Sequence, residues 1–146
     1  MRQSVLGRVR RPFRALVVGF VPESADLSAD EWRRGEELAE RLLSGRPGRV
    51  RRQVTLLILA LNLIAAARFG RTLPALDPST RSRLLTSLQD SPLLLVRRGV
   101  WGLRTLAFLV YYGREQGRAA VGYRASASGW ASRRSPGTGA GEGREP

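Results

Sequence analysis

Any chemistry in this chain must proceed without cysteine or histidine, because neither residue occurs. Thiolate nucleophiles, disulfides, Cys- or His-built zinc sites, c-type haem attachment and histidine triads are all excluded. Asp, Glu, Arg, Ser, Thr and Tyr remain. The twelve carboxylates sit mostly at helix starts or on predicted outer faces. Asp30, Glu31 and Asp77 read as N-terminal helix residues, held there by capping and the helix dipole. No two carboxylates present themselves as an acid and its base. No glycine-rich phosphate loop follows a strand. Gly99-x-x-Gly102 lies inside a predicted helix and reads as a close helix–helix approach. Residues 137–141 are a low-complexity Gly run.

The residues best suited to recognition are the arginines and the tyrosines. The net charge is +13 and every basic residue is arginine. Such a charge calls for an acidic partner, an anionic membrane surface or nucleic acid. Arginine clusters (Arg8, Arg10, Arg11; Arg49, Arg51, Arg52; Arg97, Arg98) are spread over several segments, with no recognisable nucleic-acid module. Nucleic acid is therefore the weakest of the three partners. Tyr111, Tyr112 and Tyr123 fit two roles equally well: packing the end of a helix, or contact with a partner.

These residues need a scaffold, and the pattern predicts an all-α one. The 146 residues are 42% apolar, enough for one core. Five or six helices are expected, with no useful strand alternation and no repeat. Pro12 opens a helix that carries Phe13, Leu16, Val17 and Phe20 and stops at Pro22. Ser28 and Glu31 form a capping box for a helix to about residue 44. Trp32, Ala39, Leu42 and Leu43 line its inner face; Glu36, Glu37, Glu40 and three arginines line its outer one, with Glu37 and Arg41 as an i, i+4 pair.

Residues 54–67 are apolar except for Thr55 and Asn62, which predicts a buried central helix. Asp77-Pro78 caps a helix of residues 78–89, with Leu84, Leu85 and Leu88 inside and Arg81 and Arg83 outside. Ser91-Pro92 repeats that device ahead of a helix to Tyr112. A short helix, 114–121, follows. The domain reading is a basic segment 1–11, a helical domain 12–124 and a disordered Ser/Gly/Pro-rich tail 125–146.

Residues 92–112 are long enough to span a bilayer. Their ten Leu, Val and Phe residues contribute roughly −3 to −6 kcal/mol to insertion, and Arg97, Arg98 and Arg104 each cost up to about +3. The sum disfavours unaided insertion and leaves peripheral contact with anionic lipid open. Arg10-Arg11-Pro12-Phe13 has the form of a twin-arginine export signal. The apolar stretch behind it is short, however, and Glu23-Ser24-Ala25 is a poor cleavage site. The compartment stays open, with a cytoplasmic or membrane-associated protein favoured.

The closing pattern is the most specific. An apolar helix carries Leu106 to the pair Tyr111-Tyr112 and Gly113, and Val121-Gly122-Tyr123 follows. Val21-Pro22, Arg68-Phe69-Gly70, Leu76-Asp77-Pro78 and the run from Arg81 to Leu85 precede it. Over roughly residues 13–123 the chain resembles the gluconate 2-dehydrogenase subunit 3 family. It departs from many members after Tyr123, where Arg-Ala-Ser stands in place of Asp-Gly-Pro.

The resemblance implies a small non-catalytic subunit that docks on and stabilises a FAD-dependent oxidoreductase of the glucose–methanol–choline type. This chain would bind no cofactor, and FAD would sit on the partner. Arg97, Arg104, Tyr111, Tyr112, Gly122 and Tyr123 are the expected partner-binding residues. A peripheral membrane-surface protein is the first alternative, a nucleic-acid binder the second, and an independent enzyme fits least.

Overall fold

Residues 4–113 are described in the computed structural model. The expected helix 114–121, Gly122, Tyr123 and the tail lie outside them. Among the described residues five α-helices occur and no strand: α1 (Arg10–Phe20), α2 (Ala29–Ser44), α3 (Gly48–Phe69), α4 (Pro78–Gln89) and α5 (Leu94–Tyr112). Short 3-10 turns, Pro22–Asp26 and Leu73–Ala75, follow α1 and α3.

The core forms where α1 crosses α5. Helix α5 touches all four other helices, and α1 packs on α3, α4, α5 and the second 3-10 turn. Phe13, Leu16 and Val17 of α1 and Val100 and Val110 of α5 are fully buried. Leu6 and Val9 belong to the same cluster, so the core extends into the N-terminal segment expected to lie outside it. Glu40 holds that segment down, accepting hydrogen bonds from Val5 N (3.1 Å), Leu6 N (3.2 Å) and the Ser4 hydroxyl.

Helix α1 begins at Arg10, ahead of Pro12, which falls in the first turn where a missing N–H costs no intrahelical bond. The stretch from Arg10 to Phe20 packs as a helix in the core, with Arg10 paired to Glu36 at 3.3 Å.

Two caps stand as the sequence predicts. Glu31 N donates to Ser28 Oγ (3.3 Å) and Ser28 N donates to the Glu31 carboxylate (2.8 Å). At α4, Thr80 N donates to Asp77 (2.9 Å) and the Ser79 hydroxyl donates to the same oxygen. These bonds, the Ser79 hydroxyl first, hold the Asp77 carboxyl far below its ordinary value of 3.8. A lowered folded-state pKa means that the stability Asp77 contributes is present above the unfolded value and lost as pH falls through the acid range. We expect Asp77→Asn to melt below the parent at pH 7, with the gap narrowing from about pH 4 downward. Thermal melts at both ends of that range check it.

Four expectations are corrected. Ser91 does not cap α5: Ser91 N donates to Leu88 O (3.3 Å) and its hydroxyl accepts from Leu93 N (3.2 Å), so it closes the end of α4 and α5 starts at Leu94. Arg81 is buried, not exposed. Its guanidinium donates to the carbonyls of Leu76 (2.7 Å), Leu73 (3.0 Å) and Pro74 (3.3 Å), and so clamps the 3-10 turn, in which Leu73 O also accepts from Leu76 N (3.3 Å). Burial lowers the Arg81 pKa, and the Asp77 charge acts the other way.

Glu36 is also buried. Its carboxylate takes Arg10 and Arg14 of α1, and Arg14 lies 5.2 Å above the Trp32 ring. Finally, α3 is not the central helix. Only Ile58, Leu61 and Ala65 of its 22 residues are buried, and it rides on the edge of the bundle. Gly70, at φ 66°, ends it in the left-handed conformation that a side chain would strain.

Candidate functional site

Helix α3 is apolar on nearly every side through residues 54–67, and among the described residues one face alone is covered. Leu56, Leu59 and Leu63 recur at three- and four-residue spacing, opposite the buried Ile58, Leu61 and Ala65. They are 57%, 44% and 69% exposed. Arg49 and Arg52 stand exposed on the same side, nearer the N-terminus.

Helix α5 repeats the arrangement. Its outer face carries Leu94, Arg98, Trp101, Thr105, Leu109 and Tyr112, all exposed. Leu95, at the same end, is 85% exposed. Between the two helices, closed at one end by Leu42 and Leu43 of α2, runs an open groove of about 430 Å³. Its walls are Val50, Val54 and Leu57 on one side and Leu103, Leu106 and Leu109 on the other. Leu42, expected inside, turns toward this groove and is 42% exposed.

Charge is segregated across the molecule. Arg49, Arg51, Arg52 and Arg68 on α3 and Arg97, Arg98 and Arg104 on α5 face no carboxylate of their own helices, since neither helix contains one. The acids concentrate on α2, at Asp30, Glu31, Glu36, Glu37 and Glu40. Glu36 and Glu40 are engaged in holding α1 and the N-terminal segment. No group of three potential metal ligands occurs among the described residues. The arrangement therefore offers an apolar, cationic surface for binding.

The expected partner-binding residues divide. Arg97 and Tyr112 are exposed. Arg104 is half-buried: its guanidinium donates to Gln89 Oε1 (2.9 Å) and lies 4.9 Å above the Trp101 ring and 5.4 Å above that of Phe108. It ties α5 to α4. Tyr111 is half-buried on the same edge, edge-on to Tyr112 at 4.9 Å. Gly122 and Tyr123 lie outside the described residues.

The sequence reading missed Leu42, Leu56, Leu59, Leu63 and Trp101. A signal for those on α3 exists: a helix apolar on nearly every face needs neighbours on every side, and the five described helices have few to give. Comparison of the chain with models of known families, with curated proteins and with solved structures finds no match.

Proposed function

We propose that the protein is a non-catalytic accessory subunit whose α3–α5 surface docks on a FAD-dependent oxidoreductase of the glucose–methanol–choline type. The carrying observation is the surface itself. Leucines and a tryptophan this exposed, on the two helices that wall an apolar groove, are a liability on a free protein and ordinary at an interface. The partner class rests on the resemblance of the helix ending in Tyr111-Tyr112-Gly113 and its neighbours to the small-subunit family. Gel filtration of the chain co-expressed with a candidate flavoprotein of this type tests the reading. Co-elution at low salt is expected; two separate peaks would end it.

One observation favours a second reading, a protein bound to an anionic membrane. Helix α3 has an 18-residue window of mean hydropathy 1.5, of which 17% is buried. Arg49, Arg51 and Arg52 precede its apolar stretch and Arg68 follows it, where they can meet anionic headgroups. Flotation with vesicles rich in acidic lipid, abolished by high salt, would favour this reading over the first.

A further inference from the structure

Resting on the docking reading, the geometry points to a specific occupant: we propose that the groove between α3 and α5 receives one amphipathic helix of the partner polypeptide, with an apolar ridge and acidic flanks.

Gly102 carries the first part of this inference. Glycine inside a helix costs stability and leaves room for another backbone to come close. At Gly99 the neighbour is internal, since an added Cβ would lie 2.6 Å from Leu57 Cδ2. At Gly102 an added Cβ meets nothing within 4 Å, yet the residue lines the groove. Nothing among the described residues uses that gap. A second helix backbone seated in the trough would.

Charge carries the second part. Arg46 is the charged residue in the groove wall, and neither α3 nor α5 holds a carboxylate. An occupant with glutamate or aspartate beside its apolar ridge complements this site. The chain's own segment after Gly113 does not, because it is itself net basic. Acyl chains require no gap at one glycine, and the convex leucines of α3 would serve them better than this concavity.

The test uses the full chain and a labelled peptide of about 18 residues, five helical turns, with leucines at i, i+3, i+4 and i+7 and glutamates on both flanks. A twin peptide carries lysine for every glutamate. Anisotropy should give a Kd on the order of 10 μM for the acidic peptide and binding about tenfold weaker for its twin. Gly102→Leu fills the gap without an internal clash, so it should weaken the acidic peptide about tenfold while melting at or above the parent temperature. Gly102→Ala should fall between.

Equal binding of both peptides, no binding of the acidic one, or indifference to Gly102→Leu overturns the proposal. The two readings separate cleanly. A flavoprotein complex that forms undisturbed with Gly102→Leu removes the groove helix and leaves docking intact. Acidic-peptide binding with no flavoprotein complex does the reverse.

Discussion

A chain carrying Leu56→Ser, Leu59→Ser and Leu63→Ser should bind the flavoprotein about a hundredfold more weakly, a loss of about 2.7 kcal/mol, and yet melt at the parent temperature. The three leucines form the outer ridge of α3 and keep 57%, 44% and 69% of their surface in solvent. Burying a leucine fully is worth about 1.5–3 kcal/mol, so partial cover of three reaches the stated loss. The ridge lies opposite the buried face of α3, and substitutions at exposed sites usually stay within about 0.5 kcal/mol of the parent. Titration calorimetry against the flavoprotein and a thermal melt of the free chain separate the two effects. A variant that melts well below the parent would show that the ridge is packing. Unchanged affinity would show that α3 faces away from the partner.

Arg81→Leu should produce the largest loss of stability of any charge removal. The substitution keeps apolar bulk but strips the donors from three backbone carbonyls, those of Leu73, Pro74 and Leu76. A buried acceptor left without a donor costs about 1–3 kcal/mol. Leu73 O keeps its bond from Leu76 N and Pro74 is exposed, so Leu76 O bears most of the loss. The cost is about 2 kcal/mol, a sizeable share of the roughly 5–15 kcal/mol available to a domain. For a folded region of this size that is a fall in Tm of about 8 °C. Urea unfolding of Arg81→Leu beside Arg81→Lys measures it. The lysine variant should recover only part of the loss, because one ammonium lacks the reach of a guanidinium fork. Wild-type stability in the leucine variant would mean that the turn Leu73–Ala75 is satisfied some other way.

What the sequence made legible was what neighbouring residues decide. The Ser28–Glu31 box and the Asp77-Pro78 start are local hydrogen-bond devices, and both stand where the spacing puts them. Ser91-Pro92 offers the same local chemistry, but the last turn of α4 takes Ser91 first. The burial of Glu36 and Arg81 could not be read from their own helices, because each depends on partners brought by the fold: two arginines of α1, and the carbonyls of a 3-10 turn upstream.

The position of α3 escaped for a related reason. An apolar helix without a polar face says that it needs cover, and says nothing about which chain provides it. Arg97, Arg104, Tyr111 and Tyr112 all lie on α5, Arg97 in its first turn and the tyrosines at its end, and Arg104 spends its charge on Gln89 and two aromatic rings. Of the four, Tyr112 shares the outer face of Trp101 and Leu109, which borders the groove toward α3.

Hydroxyl-radical footprinting of the chain, alone and with its flavoprotein, tests the central claim most directly. The account predicts that Leu59, Leu63, Leu95 and Trp101 react readily in the free chain and become protected together in the complex. Side chains on the outer face of α4 should stay unchanged. Equal reactivity of those four residues in both states, or protection confined to α2 and α4, would contradict it.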